Sequence, residues 1–373
     1  MFNDRYVEIT LEDYHDIAMG LFKASGCDDE TAKVLTEHHM DSDLRGVGVQ
    51  GMNHLVFDHI PHMLMGRVKP AKKPSVVKES TSYVLIDGNR GPGAIAAYLA
   101  VEMAAKKAKE SGICMVGIRN SNDFFRAGRY VEMLAEKGFI GLVFSDDQWP
   151  GVHPLGGTAP VIGLNPMAIA VPSDTIPFVI DFTPCATVTS WVRSSRNYGD
   201  RLPEGCAIDK DGRPTTDATK ISNGTDYSED LGAISPLGAN NSDRRGKAVG
   251  YGLLLAIDFL AGALTGSDMG VAHQRKFPRN VKGHFLIAID PGAFGNPRVF
   301  IKAVRTRMDE IKNSRKAQGS SEIRIPGERS YAAREKALAE NKVKIDLFLW
   351  EDVKKLCDKL KVAVPKPIFP QNK

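Results

Sequence analysis

The chain has 373 residues, 42% of them hydrophobic and 25% charged, and a formal net charge of +4. That length supports a large core and two or three lobes, and that balance is ordinary for a globular protein, which argues against disorder and against a membrane-embedded chain. A small net charge with both signs mixed along the chain gives no basis for a nucleic-acid partner. The five cysteines, Cys27, Cys114, Cys185, Cys206 and Cys357, are odd in number and include no CxxC pair. They point away from a disulfide framework or a structural zinc and toward a reducing compartment. The opening MFNDRYVEITLEDY has no apolar signal core, so a cytoplasmic location is expected.

Thr10 is a candidate cap for a first helix with Ile17 and Leu21 on one face. Asp28 or Asp29 can cap a second, which runs through Ala32, Val34 and Leu35 toward Leu44. If residues 55–65 are helical, His54, Asp58 and His62 fall at i, i+4 and i+8 on one face with His59 nearby, a spacing that helical zinc sites use. Pro61 interrupts that helix, so a surface or interface cluster is the simpler reading and no metal is expected. After a basic linker, 68–75, the rhythm becomes strand, helix, strand: 83–86, 94–111, 114–118, 127–137 and 140–144. Residues 201–247 read as long surface loops, and Lys69–Lys73 and Arg275–Arg279 as solvated basic patches. The apolar run Tyr251–Leu264 contains Asp258, is too short to span a bilayer and reads as a buried helix. A strand over His284–Asp290 follows. Two amphipathic helices close the chain, one with Phe300, Val304, Met308 and Ile311 on one face, the other with Leu349, Val353, Leu356 and Leu360.

Between these elements, Met167–Val171 and Pro177–Phe182 have strand composition and are joined by Pro172-Ser173-Asp174, which predicts a hairpin. Asp181 closes its second strand, and Thr183-Pro184-Cys185-Ala186-Thr187 offers hydroxyls, small side chains and free amides suited to a phosphate or ribose. A capped helix start uses the same residue types. Gly46–Gly51 spells GxGxxG, but a helix enters it where a dinucleotide fingerprint requires a strand, so it is rejected as one. The turn Asp87–Gly93 has the better context but the spacing GxxGxG, and reads as a structural turn.

Eight collinear blocks carry a resemblance: Asp43–Gly46, VLIDGNRGPG, IRNSN, GLNP, VIDFTPCAT, GYGLLLAIDFLAGALTG, GHFLIAIDPGAFG and IPGER. In this order and spacing the chain resembles the type 2 malate/L-lactate dehydrogenase family. The resemblance implies an NAD(P)-dependent oxidoreductase of small hydroxy or oxo acids, and an α/β fold distinct from the Rossmann fold. A helical lobe from both chain ends (residues 1–75 and 286–373) would pack with a central cofactor lobe (76–285) built on a mainly antiparallel sheet, and the protein would be a homodimer. It also implies cofactor contacts from Asp181, Phe182, Thr183, Cys185 and Thr187, from Asn165 in GLNP, and from Gly327, Glu328 and Arg329. Four of the cofactor positions depart from the family: Leu164 removes a hydroxyl, Val249 stands where a lysine is common, and Asp146-Asp147 are hard to reconcile with nearby phosphates unless they point to ribose hydroxyls or arginines. NAD and NADP both stay open as cofactor.

The family's chemistry resides in DLRGxxSHGxxR, where this chain has Val49, Gln50 and His54 at the serine, histidine and arginine places. A second signature, SNHFG, reads Ser121-Asn122-Asp123-Phe124-Phe125, so both expected proton-transfer histidines are replaced. A hydroxy-acid dehydrogenase needs a group that exchanges the hydroxyl proton, and Gln50 cannot titrate, although it can donate a hydrogen bond to a carbonyl. Asp123 is the candidate proton donor or acceptor, acting as an acid near neutrality only if burial raises its pKa by several units. His54 is the candidate substrate ligand or alternative acid/base, since histidine ordinarily titrates near neutrality. Asn122, Arg126 and Arg129 are candidate substrate contacts. The expected reaction is hydride transfer to or from a small polar, acidic hydroxy or oxo compound other than simple malate or lactate. The rival readings are a non-catalytic or nucleotide-binding homologue and, less favoured, a metal-dependent hydrolase.

Overall fold

A computed structural model describes residues 5–147, 149–222, 230–240, 244–269 and 281–369. The basic stretch Arg275–Arg279 lies outside the described residues. Strand β1 (Tyr6–Thr10) leads directly into helix α1 (Leu11–Ala24), where the Thr10 hydroxyl accepts the Asp13 N–H, and Asp28 caps α2 (Asp29–Leu44) through the Thr31 N–H. These caps satisfy first-turn donors that would otherwise be left without partners. Far along the chain, β11 (Lys342–Asp346) pairs antiparallel with β1 and clips the helix Leu347–Leu360 onto the N-terminal pair. Ile17, Leu21, Phe22 and Leu35 share one core with Val343, Leu349, Trp350 and Val353. The helical lobe is therefore built from both chain ends, with Leu356 and Leu360 only half-buried at its rim.

The central sheet has seven strands in the order β2 (Ser75–Glu79), β3 (Tyr83–Asp87), β4 (Ile113–Ser121), β10 (Lys282–Ile289), β5 (Ile140–Ser145), β6 (Met167–Val171) and β7 (Phe178–Phe182). Only β3 and β4 run parallel, joined by the crossover helix α5 (Gly93–Ser111); every other neighbouring pair is antiparallel. The predicted hairpin pairs Ile169 with Ile180. Helix α5 presents Ala96, Ala97, Ala100, Ala104 and Ala108 to the sheet, and α6 (Ala127–Glu136) covers the same face with Val131 and Leu134. A third cluster, including Val152, Ile162, Val192, Leu202, Ile234 and Leu254, lies outside both cores, beside the short antiparallel pair β8 (Ala207–Ile208) and β9 (Ala233–Ile234).

Two expectations change. Pro61 does not end its helix: α3 (Met52–His54), a π-helical turn (Leu55–His59) and α4 (Ile60–Leu64) follow without a break. The π-helical turn before it locally widens the helix and accommodates Pro61, which cannot donate a backbone hydrogen bond. The apolar run from Tyr251 belongs to a longer helical segment, α8 (Arg244–Ile257) and the π-helical turn Asp258–Ala263. Its window Gly246–Ala263 spans 18 residues at mean hydropathy 1.3 and is 28% buried, so it is not a core helix of this one chain. Val249, Phe259 and Leu264 are exposed on it.

Between the helical lobe and the sheet, His39, His59 and His38 pack around Phe125, with ring centroids 4.2, 4.5 and 5.4 Å from it. Burial pushes His39 down to about 3 and holds His38 and His59 well below the ordinary histidine value. These rings are neutral in the folded state and protonate in the unfolded chain near pH 6.5. The unfolded state then binds more protons below that pH, so stability is complete above it and falls as pH drops. Urea unfolding should lose roughly 2 kcal/mol per buried histidine between pH 7 and pH 5. A midpoint unchanged over that interval would contradict the neutral cluster.

Candidate active site

The site begins where β4 ends. Asn122 donates its amide hydrogens to the Arg90 and Gly91 carbonyls, at 2.9 and 3.0 Å, and so fastens the turn Asn122–Phe125 to the loop before α5. From β10, His284 Nε2 donates to the Asn122 carbonyl at 2.9 Å, while Ser145 hydrogen-bonds its Nδ1 at 2.9 Å. The His284 ring stacks on Phe124 at 4.1 Å, and burial keeps it neutral with a pKa of about 4. Phe125 takes a left-handed φ of 68°, and its N–H is accepted by the Asp123 carboxylate at 2.8 Å. The turn thereby holds Asp123 toward a cavity under the helical lobe.

Lys282, the first residue of β10, lies across that cavity. Its ammonium is 2.5 Å from Asp123 Oδ2 and 2.9 Å from Asp147 Oδ1. Asp147 is held in turn by Asn165, whose Oδ1 accepts its N–H at 2.9 Å while its Nδ2 donates to the Leu254 carbonyl. Burial alone would raise Asp123, but Lys282, His54 and the Phe125 N–H outweigh it and hold this carboxylate below the ordinary range. Burial would likewise lower Lys282, and its two carboxylates overcome that and raise it. From the helical side, His54 Nε2 lies 3.6 Å from Asp58 and 3.7 Å from Asp123, and its Nδ1 is buried without a protein partner.

Gln50, His54 and Asp123 line one cavity of about 130 Å³, together with Asp58, Lys282, Trp149, Thr183 and Arg193. That is a small-metabolite volume, well below a typical drug-sized pocket. The Gln50 Oε1 is buried and unpartnered. His62 stacks on Trp149 at 5.8 Å, and burial lowers its pKa to about 4. The histidines and Asp58 of this segment form no metal-ligating cluster among the described residues.

The expected substrate contacts Asn122, Arg126 and Arg129 do not line this cavity. Asn122 gives its amide hydrogens to the turn it fastens, and its Oδ1 is buried without a partner. Arg126 is buried and pairs with Glu132 at 2.6 Å and Asp41 at 2.9 Å, where Arg45 and Arg334 also converge. Arg129 points to Glu136, at 3.6 Å. The expectation that Asp123 could serve as an acid through burial is also reversed, because Lys282 keeps it ionised. Asp147 faces that lysine, and burial beside Asp258 raises Asp146 to about 9.

Among the expected cofactor residues, only Thr183 lines the cavity. Asp181 accepts the Gly128 N–H at the start of α6, Phe182 pairs with Met167, and Cys185 contacts the Leu164 carbonyl. Gly327, with φ of 100°, packs against the edge of β7, Glu328 pairs with Lys312, and Arg329 is exposed. A nucleotide fits this surface in one respect: the Thr187 hydroxyl is buried without a partner, close in sequence to Thr183. Sequence reasoning missed Lys282 and Arg193. A lysine opening the strand before GHFLIAID was the one signal available for the first.

Residues 9–354 match the family described as malate/L-lactate dehydrogenase. The chain belongs to this family. It is 33% identical over 352 residues to L-sulfolactate dehydrogenase of Methanocaldococcus jannaschii, an alignment covering 94% of this chain and 96% of that protein. The solved sulfolactate dehydrogenase structure from the same organism superposes with a TM-score of 0.82 at 31% identity, covering 96% and 98% of the two chains. The malate dehydrogenase structure from Entamoeba histolytica superposes with a TM-score of 0.90 at 26% identity, covering 97% and 100%. In this malate/L-lactate dehydrogenase family member, the Asp123–Lys282–Asp147 arrangement forms the cavity floor. Replacing Lys282 by Met should cost about 3–5 kcal/mol in urea unfolding, because two carboxylates lose their shared cation, and adding Asp123→Asn should restore part of it. A single variant as stable as the wild type would show that the three side chains are not coupled.

Proposed function

We propose that the protein is an NAD(P)-dependent dehydrogenase or reductase of a small acidic hydroxy or oxo acid, with His54 as the residue that exchanges the hydroxyl proton. One observation carries the reading: His54, Gln50 and Asp123 meet Lys282 in a single small cavity, and His54 keeps one buried nitrogen free of protein partners. When bound, the nicotinamide supplies or takes up the hydride. Thr183 and Thr187 are the residues that would hold the cofactor beside the cavity. Asp58 and Asp123 orient the His54 ring through Nε2, leaving Nδ1 for the substrate oxygen. Gln50 supplies a non-titrating amide to the same oxygen. Lys282 is anchored on both sides by Asp123 and Asp147, and an ammonium hydrogen aimed at the cavity would donate to a carbonyl oxygen on which charge develops during reduction.

Both names among the relatives reported above, sulfolactate and malate dehydrogenase, fit an acid substrate. We further infer a cytoplasmic homodimer, since the exposed apolar face at Val249, Phe259 and Leu264 is what a second copy would cover.

The test is turnover of NADH and NADPH by the purified protein with a panel of 2-oxo acids. We expect turnover with at least one of the two nucleotides, and a loss of roughly 10²- to 10³-fold in kcat for His54→Gln with nucleotide binding retained. Nucleotide binding without turnover of any acid would favour the non-catalytic homologue, and a His54→Gln variant with wild-type kcat would remove His54 from the reaction.

A further inference from the structure

Three cations face the question of what balances them. Lys282 has Asp123 and Asp147, and Arg126 has Glu132 and Asp41. Arg193 is the exception. It lines the active cavity from α7 (Thr189–Tyr198), yet its contacts are the neutral Asn53 side chain, which accepts from its guanidinium at 2.7 Å, and the face of Phe57 at 4.5 Å. Among the described residues no carboxylate reaches it within salt-bridge distance. Asp58 acts on it only through space and is already at ion-pair distance from His54. Burial pushes the guanidinium below its ordinary value, with Asp58 alone opposing.

The geometry around Arg193 is that of a clamp. Asn53 and Phe57 lie one helical turn apart and fix the guanidinium from the side of the helical lobe, so little side-chain entropy remains to be lost when a ligand binds. On its own helix, Thr189 and Ser190 stand four and three residues earlier, on the same face, and both line the cavity. The N-cap of α7 is Val188, whose carbonyl accepts the Trp191 and Val192 N–H groups. A fixed guanidinium with two hydroxyls beside it makes a set of donors for an anion.

We propose that Arg193 sets the substrate class: it takes a second anionic group, carboxylate or sulfonate, of a short acid whose reacting carbon lies between His54 and Lys282. This rests on the oxidoreductase reading above. The preferred substrates are then two-anion acids. An acid whose only carboxylate stays beside its reacting carbon leaves the half-buried Arg193 without a counterion and is rejected, as sites built around a polar or charged group reject analogues that lack it.

Two measurements separate this proposal from that reading. In the first, kcat/KM is compared for oxaloacetate, sulfopyruvate and pyruvate, in the wild type, Arg193→Met and Arg193→Lys. We expect the wild type to prefer a two-anion acid by roughly 10²-fold, mainly through KM. Arg193→Met should abolish most of that preference, and Arg193→Lys should recover part of it. The leading substrate tells whether carboxylate or sulfonate is preferred. In the second, malonate and sulfoacetate, which carry two anions and no reducible carbonyl, are titrated calorimetrically against acetate. Binding of a two-anion ligand that weakens at least tenfold in Arg193→Met supports the anion subsite even if no oxo acid is turned over, in which case only the reaction has been misread. Equal affinity of wild type and variant, or a wild type that prefers pyruvate, overturns it.

Discussion

A buried ammonium between two carboxylates decides how the rest of the site is arranged. Lys282 bridges Asp123 and Asp147, so the start of β10, the turn after β4 and the loop after β5 cannot move independently. Removing Lys282 would leave two carboxylates without their shared cation, and such losses cost more than the intact arrangement contributes. The same lysine settles an acid/base question. A lone buried aspartate would be pushed toward protonation, whereas Asp123 beside Lys282 stays ionised. The proposed function therefore gives the exchangeable proton to His54, which lies at ion-pair distance from both Asp58 and Asp123.

The cavity draws its walls from two lobes that are joined by a second set of charges. His54, Asp58 and His62 come from the helical lobe, while Asp123, Asp147 and Lys282 come from the sheet. Asp41 and Arg45 from the end of α2 meet Arg126 and Glu132 beside the sheet and Arg334 from the C-terminal part of the chain. This network holds the lobes in register a short distance from the cavity. Its arginines are paired within it and do not line the cavity. The anion subsite we propose is instead at Arg193 on α7, which lines the cavity and has no carboxylate at salt-bridge distance among the described residues.

Much of the architecture could be read from local pattern. Thr10 and Asp28 cap their helices as their positions suggest, and Met167–Val171 pairs with Phe178–Phe182 because alternation and turn chemistry agree. The resemblance singled out Gln50, His54 and Asp123, and the three line one cavity. It could not show the direction of Arg126, whose side chain turns to Glu132 within its own segment. Nor could it pair Lys282 with Asp123, because 159 residues separate them and only the pairing of β10 with β4 brings them together. The exposure of α8 was hidden for a related reason: an apolar run looks the same whether its partner is the chain's own core or another surface.

The most direct measurement is a crystal structure of the protein with nicotinamide cofactor and a slowly reacting two-anion hydroxy acid. The account predicts the substrate hydroxyl within hydrogen-bond distance of His54 Nδ1, with Lys282 still bound to Asp123 and Asp147. A hydroxyl held by another titratable group, with His54 turned away from it, would contradict the central role given to that histidine.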